Sequence, residues 1–298
     1  MTRQGQPLSY NRAASPDLAP WIARLYASVV EVPPTHELRC GLLNDLSQFR
    51  IQLKGRWRAE TADGSIEGER CAMFFGPQTR RMPITVTGSF VSVGMALRPG
   101  TGHALRRMKT ADFLDRIVPC EAMGLPGEAV LQMLERESES EPEAWLQILE
   151  DVIRRIVVES GAEPIDPITA QFEYLAFADP GANIADFAAR CGIDQRKLER
   201  IVRRDFGMAP KQMLRRARAL DMASYLRGVA DPAEADELLL RYYDQSHLIR
   251  EFTELFGMSP RQFAATPQPL LTLALESRQA RRLEMIERLA PGGVRPWQ

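Results

Sequence analysis

Two stretches of this 298-residue chain repeat one pattern at a constant offset of 50 residues. The first runs Asp194-Gln195, then Leu198, then Phe206-Gly207-Met208-Ala209-Pro210. The second runs Asp244-Gln245, then Leu248, then Phe256-Gly257-Met258-Ser259-Pro260. Agreement of residues, order and spacing marks one supersecondary unit used twice. Each copy predicts a helix capped by Asp, stopped by Gly, and followed by a helix that starts at Pro. In the second copy Leu248, Ile249, Phe252 and Phe256 make an apolar stripe at helical spacing. In the first, Phe187, Ala188, Leu198, Ile201 and Val202 form the expected small core, and Gly192 takes a turn that needs positive φ.

The residues off the stripes carry the chemistry. Gln195, Arg196, Glu199 and Arg200 face outward in the first copy, and Gln245, Ser246, His247 and Arg250 in the second. Short or forked hydrogen-bonding side chains at the start of an exposed helix suit the edges of bases in a major groove. The alternative, ordinary solvated helix residues, stays open for each, as does local capping by His247.

Two such units in one chain resemble the AraC/XylS family of bacterial transcription regulators, over about residues 168–265. The resemblance implies base contacts at Arg196, Glu199 and Arg200 with Gln195 beside them, and at Ser246, His247 and Arg250 with Gln245 beside them. Between the copies, Pro210 to Arg227 predicts a long helix burying Met213, Leu214, Ala217, Leu220, Ala223 and Leu226, which would hold the two reading helices apart. From Arg190 to Arg218 there are ten Lys/Arg against three Asp/Glu, although the whole chain has a net charge of only -1. Phosphate contacts are therefore expected from Arg203, Arg204, Lys211, Arg215 and Arg218.

The second copy departs from the family pattern. Arg241 stands where a Gly is usual, and Asp236 and Glu237 take places that are apolar in the first copy. Buried carboxylates there would be costly. The expected outcome is a shifted or looser first helix built on Leu238, Leu239 and Leu240, with the first copy as the main reader.

Upstream, Phe49 to Leu53, Ile84 to Thr87 and Phe90 to Leu97 alternate like strands, and Gly55, Ala62-Asp63-Gly64, Gly76-Pro77 and Arg98-Pro99-Gly100 punctuate them as turns. Short strands at this spacing predict a jelly-roll or cupin-like shape. Gly76 to Arg80 and Gly94 to Gly100 resemble the N-terminal domain of one AraC subgroup. Helices are expected at His103 to Met108, from Thr110, over Pro126 to Glu139, and over Pro142 to Ser160. In the last, Trp145, Ile148, Leu149, Val152, Ile156 and Val157 share a face, for packing within the chain or for a homodimer.

The expected fold is α+β in two domains. Residues 1–160 form a cupin-like β-sandwich or barrel with trailing helices, for sensing or dimerisation, with residues 1–14 loosely ordered. Residues 161–167 form a linker. Residues 168–265 form an all-α double helix-turn-helix, and 266–298 a helical extension (Pro269 to Ala290) that docks on its own domain or on a partner.

The expected function is a sequence-specific DNA-binding regulator of double-stranded promoter DNA, with an unidentified small-molecule effector. A regulator controlled by abundance or by a protein partner is the alternative. An enzyme is not expected: His36, His103 and His247 are isolated, there is no HxH, and Cys40, Cys71, Cys120 and Cys191 make no CxxC, so no metal or cofactor is implied. A cupin-type enzyme with a DNA-targeting module is the remaining reading from another class. No signal region and no apolar run of about 18 residues is present, so a cytoplasmic protein without a membrane span is expected. Trp21, Trp57, Phe49, Phe74, Phe75 and Phe90 are core or ligand walls. Arg50, Arg80, Arg81 and Arg98 are anion-binding or surface residues.

Overall fold

The computed structural model describes residues 9–105, 108–136, 141–234 and 245–297. Eight antiparallel strands form one sheet in the order β1-β2-β7-β4-β6-β8, with β3 added on β7 and β5 on β4. They are β1 (Tyr10–Arg12), β2 (Ile22–Val30), β3 (Glu37–Leu42), β4 (Gln48–Thr61), β5 (Gly64–Gly68), β6 (Cys71–Phe75), β7 (Met82–Leu97) and β8 (Ile117–Pro119). The cupin-like β half followed by a helical half is therefore present. Tyr10 to Arg12, expected to be loose, instead pairs with β2.

Two strands are longer than the alternating patterns suggest. Ile84 to Thr87 and Phe90 to Leu97 belong to one strand, β7, and Gly55 lies inside β4 instead of ending a strand. Gly55 takes φ 94°, and a Cβ there would lie 2.7 Å from Phe90 Cβ and Ser89 O. The β4–β7 register shifts between Gln52 and Arg56. Extra residues at such a bulge reverse which side chains face which side.

That reversal organises the core. Before the bulge Phe49 and Ile51, with Leu25, Ala27, Val93 and Met95, face a core shared with two helices, α2 (Gly127–Arg136) and α3 (Pro142–Ser160). After it, Trp57 and Ala59 join Ile84, Val86 and Phe90 on the other side. Each large apolar side chain so buried contributes about 1.5–3 kcal/mol. Trp145, Leu149, Val152, Ile156 and Val157 of α3 are all buried in this chain's own core, so that face is not free for a second copy.

The remaining helices are α1 (Thr101–Ala104), α4 (Pro167–Ala178), α5 (Ile184–Arg190), α6 (Gln195–Phe206), α7 (Pro210–Leu226), α8 (Gln245–Phe256), α9 (Pro260–Ala265) and α10 (Pro269–Met285), with 3-10 turns at Thr110–Phe113 and Cys120–Met123. The helix expected over His103 to Met108 is thus a single turn that starts and ends earlier. Gly161 closes α3 with φ 57°, and an irregular stretch leads to α4, whose cap Asp166 accepts from the Ile168 amide at 3.0 Å.

Helix α10 joins the two halves. Its Leu270 and Leu273 complete the second core of the sheet, while Leu271, Leu275, Ala280 and Leu283 pack with Ala219, Leu220 and Ala223 of α7. Arg216 of α7 is 1% exposed and donates to the Gln78 and Asp45 carbonyls, both at 2.7 Å. The Asp45 carboxylate accepts from Arg281 at 2.6 Å. Burial opposes ionisation of Asp45, but Arg281, Arg278 and Arg216 together hold its pKa below the usual range.

Candidate nucleic-acid interface

The first unit is built as its sequence implies. Asn183 caps α5 by accepting from the Ala185 and Asp186 amides, and Gly192 turns the chain with φ 67°. Asp194 then caps α6, accepting from the Lys197 amide at 2.7 Å. Leu198, Val202 and Phe206 sink against Phe172 and Phe187, whose rings meet edge to face. This leaves Gln195, Arg196, Lys197 and Arg200 exposed, with Glu199 half-buried and accepting from Arg203 Nε at 3.0 Å. Arg196, Lys197 and Arg200 have no bonded partner among the described residues.

In the second unit the helix, glycine stop and following helix recur on different contacts, as α8, Gly257 and α9. Leu248, Phe252 and Phe256 of α8 are buried, and Phe252, Phe256 and Phe263 form a three-ring cluster with centroids 4.3–5.3 Å apart. Ser259 and Gln262 make a reciprocal capping box at the start of α9. Ser246, His247 and Arg250 are exposed. Gln245 begins the helix, but its side chain lies outside the described residues, as do Asp236, Glu237, Arg241 and Leu238 to Leu240. The spacing predicts Ile249 on the apolar stripe, yet it is 42% exposed. At the constant offset it stands where Glu199 stands in the first unit, so it belongs to the outer face, where an apolar side chain suits a thymine methyl.

Sequence reasoning missed Glu251. At the offset of 50 it replaces Ile201, a core residue. Its side chain is 3% exposed and accepts from Arg215 Nε at 3.1 Å and from Arg218 Nη2 at 3.0 Å, with His247 Nδ1 3.4 Å away. The signal was the polar residue at a repeat position that is apolar in the other copy.

These bonds redistribute the expected phosphate set. Arg215 also reaches Glu254 at 2.6 Å, and Arg218 donates to the Pro180 carbonyl at 2.8 Å. Arg204 is held by Asp205 at 2.7 Å and Asp166 at 3.2 Å, which raises its pKa. Arg203 is paired with Glu199 in the open. Lys211 alone of the five is exposed without a bonded partner among the described residues. The arginines that made the stretch basic serve largely to fix α6 and α8 to their neighbours.

Among the described residues no group of three His, Cys, Asp or Glu side chains is placed to hold a metal, and no helix is long and apolar enough to cross a membrane. Phe49 and Phe74 lie in the first core and Trp57, Phe75 and Phe90 in the second, while Trp21 donates to the Glu163 carbonyl at 3.2 Å. Arg98 is spent on the Ala19 carbonyl and Glu173, and Arg80 is exposed. Arg81 sits at the domain junction, its amide donating to the Leu255 carbonyl.

Two helices, the first capped by Asp194, expose cations without a bonded partner among the described residues and rest on three-ring cores, the arrangement of a helix-turn-helix DNA-binding domain. Residues 187–266 match the family described as Helix-turn-helix domain. That match spans both copies of the repeat and agrees with DNA binding by this part of the chain. Comparison with curated proteins gives no match. Among solved structures, an apo ToxT variant from Vibrio cholerae is similar at TM-score 0.49 and 10% identity, covering 81% of this chain and 97% of that one. Wild-type ToxT from the same organism, bound to an unsaturated fatty acid, is similar at TM-score 0.45 and 10% identity, over 80% and 94%. The AraC-like transcriptional activator CuxR is similar at TM-score 0.31 and 17% identity, over 78% and 91%.

Proposed function

We propose that this regulator reads promoter DNA with α6 and α8 in successive major-groove segments, and that its N-terminal half answers to a small molecule. The observation that carries the DNA reading is the set of unpaired side chains at the exposed starts of both helices, Arg196, Arg200, Ser246 and Arg250 foremost. Arg grips guanine through two hydrogen bonds, and each good pair gives about 1–3 kcal/mol of discrimination. Gln195, Glu199, Gln245 and His247 complete the proposed base-contacting set. Lys211 and Arg203 are the proposed phosphate contacts, and Arg204, Arg215 and Arg218 reach phosphate only by giving up carboxylates. The protein acts without catalysis, in the cytoplasm, and a homodimer would have to use a surface other than the apolar face of α3.

Selection of bound sequences from random duplex DNA, at two salt concentrations, tests this. The expected motif has two segments about one helical turn, roughly 34 Å, apart. A single segment would show that α8 does not read. No enrichment would defeat the proposal.

A further inference from the structure

The structure leaves one guanidinium without a counter-charge in the cleft between the sheet and α10. Three cross-strand rows face this cleft: Arg24 beside Ala96 and Gln48, Tyr26 beside Gly94 and Arg50, and Ser28 beside Ser92. These positions alternate with the apolar ones buried under α2 and α3, so the middle of the sheet is polar on the side that α10 covers. The cleft encloses a cavity of about 70 Å³ and is partly open to solvent. A single water needs about 10–15 Å³ of such space, so the cavity has room for a small molecule of a few heavy atoms.

Three of its four arginines are matched to carboxylates. Arg24 pairs with Glu284 at 2.6 Å, Arg278 with Asp221 at 2.5 Å, and Arg281 with Asp45 at 2.6 Å. Arg50 has no carboxylate among the described residues. Its Nε donates to Tyr26 Oη and its Nη2 to Gln48 Oε1, both at 3.1 Å, and its face lies 4.7 Å from the Phe75 ring centroid. Gly94 makes this possible: a Cβ there would lie 2.5 Å from Tyr26 Oη. The head group is thus held in place by neutral partners while its charge stays unanswered. Ser92 Oγ and Arg281 Nε, on residues 6% and 5% exposed, also line the cleft and have no hydrogen-bond partner among the described residues. Around these polar groups stand Leu42, Phe90, Leu270, Leu273 and Ala274.

We propose that this cleft binds a small organic monocarboxylate, its head group on Arg50 and Ser92 and its apolar body against Phe90, Leu270 and Leu273. A planar fork of N–H donors suits a carboxylate, and a single unmatched cation suits a single negative charge. The ligand would touch the sheet on one side and α10 on the other. Because α10 is packed on α7 between the two reading helices, the ligand favours the docked arrangement of the two halves by its greater affinity for that state. The inference rests on reading the N-terminal half as a sensing domain. It does not depend on which DNA sequence is read.

The test uses full-length protein without DNA, so its failure is separable from a failure of DNA reading. Acetate, butanoate, hexanoate, benzoate and phenylacetate are each compared with the corresponding primary amide and with inorganic phosphate, by thermal shift and titration calorimetry. At least one carboxylate is expected to stabilise the protein where its amide does not. Hydrogen exchange over residues 269–285 should slow in its presence. Arg50→Gln should weaken that binding about tenfold or more, as loss of a charge-assisted bond does. Ala274→Trp, which fills the cleft and spares every arginine, should abolish it. No binding by any carboxylate, equal binding by the amides or by phosphate, or full binding by Arg50→Gln would overturn the assignment.

Discussion

Arg218 of α7 donates to both carboxylate oxygens of Glu251 on α8, at 3.0 Å each. The acceptor is almost fully buried, so this ion pair ties α8 to α7, the helix between the two units. Arg215→Ala and Arg218→Ala together would strand that carboxylate in an apolar setting. Breaking a buried pair costs about 3–5 kcal/mol. Because both arginines are about a third exposed, a loss of about 1–3 kcal/mol is expected instead. Glu251→Ile, which restores the residue type of the first unit, should be milder than the double arginine change. Urea unfolding orders these variants; a double change without effect would mean that Glu251 is reached by water.

Arg196 and Lys211 are both exposed and unpaired but are assigned different work. Arg196→Ala should weaken binding to the selected sequence more than to random duplex, by about 1–3 kcal/mol. Lys211→Ala should weaken both alike and reduce the slope of log affinity against log salt by about one. Equal losses on both DNAs for Arg196→Ala would remove it from the base-reading set.

Leu271 and Leu283 of α10 are fully buried, yet lie beyond the matched helix-turn-helix region. Truncation of either to Ala should cost about 2–5 kcal/mol. Since α10 packs on the sheet and on α7, both halves should lose stability together, seen as one shifted calorimetric transition. A loss confined to one of two separate transitions would show that α10 serves one half only.

Glu150 on α3 ties down the N-terminal strand through Arg12, with both oxygens 3.0–3.1 Å from its guanidinium nitrogens, and accepts the Ser15 amide at 2.7 Å. Burial opposes its ionisation, but these bonds outweigh burial and hold its pKa below the usual glutamate value. A depressed folded-state pKa gives stability that is present above the unfolded value, near 4.5, and is lost as pH falls through the folded one. Glu150→Gln should therefore be less stable than the parent at neutral pH, with the difference shrinking as the medium is acidified below pH 4.5. Stability curves of the two proteins that stay parallel through that range would contradict the assignment.

The repeat alone determined α6 and α8 with their glycine stops and the Pro-started helices after them, because stops and apolar spacing are local and act within a few residues. Leu198, Ile201 and Val202 could be placed in a core, and Arg196 and Arg200 outside it, from periodicity. Alternation likewise gave the β character of Phe49 to Leu53 and Phe90 to Leu97. Tertiary structure decided what local pattern cannot carry. The bulge at Gly55 reversed the facing of β4 and merged two apparent strands into β7, since a change of register depends on the neighbouring strand. Ile249 left its stripe and Glu251 entered it, because arginines 33 and 36 residues earlier supply the charge that makes a buried carboxylate tolerable. Glu251 withdrew Arg215 and Arg218 from the free basic surface, and Asp205 with Asp166 withdrew Arg204. Charge composition counts side chains, but only the fold determines which of them already have partners; Arg50, one of four arginines the sequence left as anion-binding or surface residues, is distinguished by having no carboxylate among the described residues brought around it.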